Sequence, residues 1–320
     1  MFYQILSLLI WSSSFIAAKF AYTMLDAALM VQARLLISVF IVLPVCRRYL
    51  DKIPKSKWKP LLWLSFLNYV VVLMLQFIGL KYTSAASAET VIGLEPLLMV
   101  FIGHFFFRDR AEWYHWLCGL AAFVGVAVMI AGGHGGGNIG IRGCLMIFIA
   151  GIVFCSITRP TQKLIADIGA PAFTSMSLAV SAVMCLPFSL LLADSYQINW
   201  NWPGGIALLY LGVGCSWFAY WLWNKGMSRV PANLSGLLTT LEPVFGILLA
   251  VVILGERISA VSGAGMMIVV AAAFAAALLP KVLKKQVNKA VWRPVFRRPY
   301  FKGLSTIFPK TYCQKAENSG

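Results

Sequence analysis

Long apolar runs separated by short polar clusters fill the chain from its first residues to about position 280. A helix of about 20 predominantly apolar residues crosses a bilayer. Ten stretches meet that measure, at roughly 3–22, 28–47, 60–80, 85–106, 113–132, 141–158, 170–192, 204–224, 232–254 and 259–280. The sixth is the weakest, being the shortest and among the more polar. The connections are brief, so successive helices should run antiparallel. The pattern predicts an all-α, polytopic integral membrane protein with ten transmembrane helices. The opening run, Phe2 to Ala21, lacks the basic flank and small-residue cleavage site of a secretory signal, and is expected to stay as the first span.

Composition agrees. Hydrophobic residues make up 60% of the chain and charged residues 12%, against about 25% charged in an average soluble domain. The net charge of +16 invites thoughts of nucleic acid, but no nucleic-acid-binding motif accompanies it and no such partner is expected. Its placement is more informative. With the N-terminus inside, the inner loops hold Arg47, Arg48, Lys52, Lys55, Lys57, Lys59, Arg108, Arg110, Arg159, Lys163, Lys225 and Arg229, and the outer loops hold Lys81 and Arg257. Twelve against two predicts a multi-pass protein of the cell inner membrane with both termini cytoplasmic. From 281 to 320 the chain turns basic and proline-containing, with Pro294, Pro299 and Pro309 among Trp292, Phe296, Tyr300 and Phe301. Two readings stand for this tail: a mostly disordered cytoplasmic segment that fixes topology, or one lying on anionic lipid with its aromatics at the headgroups. Seven scattered cysteines without a CxxC predict neither a disulfide framework nor a zinc site, only small packing residues.

The chain also repeats itself. Leu94-Glu95-Pro96 recurs as Leu241-Glu242-Pro243, 147 residues on, and the same offset pairs Gly79 with Gly226, Ala85 with Ala232, and Asp109-Arg110 with Glu256-Arg257. A slightly smaller offset pairs Leu43-Pro44 with Leu186-Pro187 and Lys19 with Lys163. Two five-helix halves follow, 1–135 and 136–280, joined across the glycine-rich stretch from Gly132 to Asn138. An odd number of spans per half inverts the second half, the plan of many secondary transporters whose site lies between the repeats.

These features together resemble the drug/metabolite transporter superfamily, EamA type. The resemblance rests on Trp11-Ser12-Ser13-Ser14-Phe15 in the first span, the repeated Glu-Pro of spans four and nine, Leu254-Gly255-Glu256-Arg257 after span nine, and the ten-span repeat. Arg108-Asp109-Arg110 departs from the expected Gly-Glu-Arg, and Ser follows Trp11 where Gly is usual. The resemblance covers about 3–280. It implies export or exchange of small metabolites and no single substrate.

Glu95 and Glu242 each sit near mid-bilayer by helical rise, where a charge is costly and is expected to face the bundle interior. Two readings stand: a site for a proton or a substrate amine, or a packing device locking the halves. Pro96 and Pro243 predict helix kinks that free the carbonyls of Ile92 and Thr239, which then face protein or a cavity. Trp217, Tyr220, Trp221 and Asn224 share one face of span eight by spacing, and Ser65, Asn68, Tyr69 and Gln76 a similar face of span three. Both stripes, with Trp11, are expected to wall a central cavity suited to amphipathic, partly aromatic solutes. Arg34 either binds a substrate carboxylate or pairs with Glu89. Lys19 is expected to snorkel to the outer interface, and His104 to sit at the inner one.

No nucleophile–base set, phosphate loop or HExxH motif is present, so neither an enzyme nor a cofactor is expected. The prediction is a carrier of small organic solutes, amino-acid-like or amphipathic and aromatic, working by alternating access, most naturally outward, and driven by the solute's own gradient or by protons through Glu95 or Glu242. Its partners are the solute and the bilayer, with homodimerisation left open. A membrane scaffold or sensor, and an enzyme acting on lipid-linked substrates, are the rival readings.

Overall fold

The computed structural model describes residues 2–107, 112–132, 140–229, 235 and 238–296. The glycine-rich stretch after Gly132, the Arg108-Asp109-Arg110 motif, Ala232 and the tail beyond 296 lie outside the described residues. Every regular element among the described residues is a helix. Eight helices are long and apolar enough to cross a membrane: α1 (Phe2–Ala21), α2 (Ala27–Lys52), α3 (Lys55–Lys81), α4 (Ala85–Phe107), α5 (Trp113–Gly132), α6 (Ile141–Ile168), α7 (Ala170–Leu192) and α8 (Trp202–Met227). Two apolar helices with shorter described spans complete the set, α9 (Leu241–Leu254) and α10, which begins at Ala260. Met1–Ala277 form one compact unit, and a second begins at Leu278.

Two expectations change. The sixth span is among the longest helices, Ile141–Ile168; its polar end carries Asp167, which pairs with Lys57. The segment from 281, expected to be mostly disordered, is helical as far as Phe296, in keeping with the helix-favouring Lys, Leu, Gln and Ala residues it contains.

Local chemistry sets the boundaries. Asp26 caps α2 by accepting from the Ala28 amide at 2.9 Å. Ser84 caps α4 through the Ser87 amide at 3.1 Å, and Asn201 caps α8 through Gly204 at 2.7 Å. Each satisfies an amide that a helix start leaves without a partner. Gly169 (φ 87°) turns α6 into α7 and Gly255 (φ 65°) ends α9, conformations that a Cβ disfavours. Gly212 of α8 lets that helix approach α2 closely, since a Cβ there would lie 2.6 Å from the Ile37 Cβ.

Five helices depart from regular winding. α1 breaks at Ser13. α4 breaks at Gly93–Leu94, between Ile92 and Glu95. α9 follows a turn at Thr239–Thr240. α3 and α8 contain π-helical segments at Phe66–Val71 and Leu211–Phe218. The two π segments overlap when shifted by the 147-residue offset of the Glu-Pro motifs, so the sequence echo extends to backbone irregularity.

Two polar faces cap the bundle. On one, Lys81 donates to Asp26 and Asp194, each at 2.7 Å, and the Arg142 guanidinium lies 4.7 Å from the Tyr82 ring centroid. Arg142 therefore joins Lys81 on the face with few cations, and the loop count made from the sequence missed it. On this face too the Glu256 carboxylate accepts from the Ala85 and Ala86 amides at 2.8 and 3.0 Å. The Leu-Gly-Glu-Arg motif thus caps α4 from the far end of α9. Lys19 does not snorkel to open water: its ammonium donates to the Leu80 and Thr83 carbonyls, both at 2.8 Å. A cation there meets the carbonyls that the end of α3 leaves without helical partners. The opposite face holds Lys57 and Asp167, with Lys225 over the Tyr3 and Trp221 rings at 4.6 and 4.4 Å.

Two outcomes follow. Glu256→Ala removes a bidentate helix cap and should cost about 0.5–2 kcal/mol of stability, read as a lower Tm of the detergent-solubilised protein. Asp194 lies outside the spans, and its hydrogen bond and charge contact with Lys81 hold its carboxyl below the usual aspartate range. A depressed value in the fold means that the pair stabilises at neutral pH and stops doing so as pH falls through that value. The Tm difference between the wild type and Asp194→Asn should therefore be small, salt-sensitive and gone in acid; a difference that grows in acid would contradict it.

Candidate functional site

The break in α4 and the turn before α9 meet inside the bundle. Gly93 stands at the α4 break, where a Cβ would sit 3.4 Å from the Pro243 ring. Proline tolerates the first turn of a helix because it has no amide to satisfy, so Pro96 and Pro243 begin new helical segments where mid-helix kinks were expected. The backbone is rejoined locally. Gly93 donates to the Glu89 carbonyl, Leu94 to Val91, and Glu242 to Thr239 at 3.2 Å. The Thr239 carbonyl, expected to be freed by Pro243, thus has a backbone partner.

Around this junction lies a small cavity of about 40 Å³. From the first half it is lined by Trp11, Ser14 and Phe15 of α1, Arg34 of α2, Gln76 and Phe77 of α3, and Glu89, Ile92 and Glu95 of α4. From the second half come Phe154 of α6, Tyr220 of α8, Thr239, and Glu242 of α9. Three carboxyls and one guanidinium thus face one space walled by aromatic rings.

Arg34 is buried, with 1% of its surface exposed. Its Nε donates to Ser216 Oγ at 2.6 Å, its guanidinium carbon lies 4.7 Å from the Phe77 centroid, and its Nη1 has no hydrogen-bond partner. Of the two readings of Arg34, the pair with Glu89 does not form: no such ion pair occurs among the described residues, and both Glu89 carboxyl oxygens are buried without a partner. The two groups line the same cavity without meeting. Trp11 hydrogen-bonds the Cys215 carbonyl through Nε1 at 3.0 Å and packs edge-on to Tyr220 at 4.7 Å. That contact joins the motif of the first span to the eighth.

The two polar stripes divide. Gln76 and Tyr220 line the cavity. Tyr69 is fully buried one layer behind, its ring 4.4 Å from Tyr220. Asn224 is also behind, donating to Thr174 Oγ1 at 2.9 Å and, at 3.5 Å, toward the Tyr69 hydroxyl. Asn68, Trp217 and Trp221 do not line the cavity; Trp221 instead stacks on Phe218 beneath Lys225. The cause is the π segments, which change the number of residues per turn. A face read at 3.6 residues per turn slips out of register across them, so Trp217 and Asn68, inside these segments, leave the predicted face. Sequence reasoning overlooked the apolar wall, among it Phe15, Phe77 and Phe154, and one charged residue, Glu89, treated only as a partner for Arg34. Its signal was available in the sequence: an acid inside an apolar span is a functional candidate in its own right.

An all-helical bundle with eight helices long and apolar enough to cross a membrane defines a polytopic membrane protein. The sequence model of the EamA-like transporter family matches residues 1–131 and 141–278, and the chain belongs to that family. It is 48% identical over 169 residues to an uncharacterized transporter of Haemophilus influenzae, covering 52% of this chain and 99% of that one. It is 27% identical over 179 residues to the aromatic amino acid exporter YddG of Ancylobacter novellus, covering 55% and 61% of the two chains. A solved crystal structure shares the fold with a TM-score of 0.64 at 20% identity, over 88% of this chain and 97% of the other.

The geometry separates lining from support. Asn224→Leu leaves Thr174 and Tyr69 without their amide partner and should lower stability by about 1–3 kcal/mol. Transport per folded molecule should hold near wild type. A large loss of turnover in a protein of unchanged Tm would return Asn224 to the lining.

Proposed function

We propose that this protein is a secondary transporter that carries small amphipathic solutes of the amino-acid type outward across the inner membrane, with both termini in the cytoplasm. The observation that carries the reading is the cavity itself. An unpaired guanidinium NH faces carboxyls across a floor of Trp11, Phe15, Phe77 and Tyr220. A carboxylate suits Arg34, an ammonium suits a glutamate, and an apolar or aromatic side chain suits the rings. The relative named as an aromatic amino acid exporter supports both the solute class and the direction. The positive-inside balance of the loops supports the orientation.

The cavity's size argues for alternating access. At about 10–15 Å³ per water centre, a cavity of 40 Å³ holds a few waters and not an amino acid. A solute enters only when the halves part on one side. The broken helices are the natural hinges, since their backbone bonds are already local turns.

Cells lacking the protein, preloaded with labelled L-phenylalanine, should release it more slowly than cells overproducing it. Equal release across L-phenylalanine and a wider amino-acid panel would turn the reading toward a scaffold. Arg34→Gln should raise KM for L-phenylalanine by about tenfold or more, the value of a charge-assisted hydrogen bond, with little change for phenethylamine, which has no carboxylate. Glu242→Gln should reduce transport far more than it reduces folded protein in the membrane.

A further inference from the structure

We propose that Glu89 is the proton-exchange site of the carrier: its carboxyl binds the ammonium of the solute and releases one proton, so that each outward solute is exchanged for one inward proton. The proposal rests on the preceding reading of the solute and adds the coupling ion and the residue that holds it.

Four observations on Glu89 carry it. Its side chain lines the cavity yet is 1% exposed. Neither carboxyl oxygen has a hydrogen-bond partner. The charged and titratable groups facing it, Glu95 and Glu242 from α4 and α9, are themselves acids; the cavity's cation, Arg34, is engaged with Ser216 and Phe77 from α2, and Tyr220 lines the α8 wall. Finally, α9 makes room for it. Gly246 lies one helical turn past Glu242, and a Cβ there would fall 2.1 Å from the Glu89 carboxyl carbon. A slot formed by a glycine around a carboxyl with no donor suits a neutral acid, and an ionised one only when a cation arrives.

Charge balance points the same way. Three carboxyls and one guanidinium line the cavity, and like charges confined together disfavour ionisation of all three acids at once. Glu95 and Glu242 correspond to each other in the repeat, and their oxygens are not among the sealed, partnerless ones. Glu89 has no counterpart: 147 residues on, the chain has Gly236. The asymmetric acid is the one whose proton distinguishes a loaded carrier from an empty one.

The exchange balances. Glu89 carboxylic acid and the solute's ammonium give the carboxylate–ammonium pair and one proton, which leaves to water on the side then open. On the other side the ammonium departs and a proton from that side reforms the acid. A zwitterionic amino acid carries no net charge, so its export moves one positive charge inward and is driven by the proton gradient and the membrane potential.

The test uses the purified full-length chain in liposomes containing a pH-sensitive dye, with L-phenylalanine, phenethylamine and hydrocinnamate as probes. The wild type should couple L-phenylalanine and phenethylamine flux to opposed proton flux at one to one, and ignore hydrocinnamate, which lacks the ammonium. Glu89→Gln should lose solute-driven proton flux, and its infrared spectrum should lack one protonated-carboxyl band present in the wild type at neutral pH. Gly246→Ala, which keeps all three acids but fills the slot, should weaken coupling while preserving the folded protein. Glu242→Gln should lower flux yet keep the proton-to-solute ratio. Persistent coupling in folded Glu89→Gln overturns the proposal. So does wild-type L-phenylalanine flux without proton flux, which leaves the function itself standing. Wild-type vesicles that move no probe overturn both.

Discussion

Backbone amides and carbonyls at membrane depth have no water to turn to, and this constraint organises the protein. It confines the chain to helices, and makes every interruption of a helix conspicuous. The interruptions in α1, α4 and α9 and the π segments of α3 and α8 occur in helices that contribute to the cavity wall. Irregular backbone is tolerated there because neighbouring protein and the cavity, not lipid, receive its polar groups. The Glu-Pro motif is one consequence. Proline ends one helical segment and starts another, and the glutamate beside it is carried to the seam between the halves. The break and the charge are therefore parts of a single device, used twice.

The face carrying Lys81 shows how such a bundle is held closed. Glu256 caps α4 from beyond the end of α9, while Lys19 caps α3. Four helices, α1, α3, α4 and α9, are thus tied at one end by charged groups acting on helix termini. The Glu256 bonds cross the seam while those of Lys19 lie within the first half, so a separation of the halves at this face exchanges only the Glu256 bonds for water. At an aqueous boundary that exchange is inexpensive, because hydrogen bonds to water replace those lost. The centre of the bundle offers no such replacement. Polar locks at the rim and a polar cavity at the core agree with the proposed alternating access, which asks for an end that opens at low cost and a site that empties only when opened.

Much of this was legible in the sequence. The apolar runs located the helices because bilayer thickness fixes span length, and the repeated Leu-Glu-Pro located the seam because few other patterns recur at a constant offset. Periodicity misled in α3 and α8. A seven-residue stripe presumes constant winding, and a π segment inside it moves Trp217 and Asn68 off the cavity wall while Tyr220 and Gln76 remain. Nothing in the residue types announces a π segment beforehand. Helix ends were also obscure: the Glu256 cap is a tertiary contact between residues 171 apart, and the Lys19 contacts join sequence positions more than 60 apart. Glu89 was overlooked for another reason. Symmetry drew attention to the acids that repeat, and Glu89 does not.

Symmetry and its absence divide the labour. An inverted repeat gives a carrier two openings of similar cost, since the hinge on one side is the hinge on the other turned over. A perfectly symmetric site, however, would bind its solute in two orientations of equal energy. The departures from symmetry supply an orientation. Arg34 lies in the first half, and at the smaller offset that pairs Lys19 with Lys163 and Leu43 with Leu186 the chain has Leu178 or Ser177 and no arginine. Glu89 likewise faces Gly246 of the second half without an acid of its own kind there. In the proposed carrier the repeated elements, Glu95-Pro96 with Glu242-Pro243 and the paired π segments, are the frame, and the unrepeated ones, Arg34 and Glu89, are the groups proposed to orient the solute.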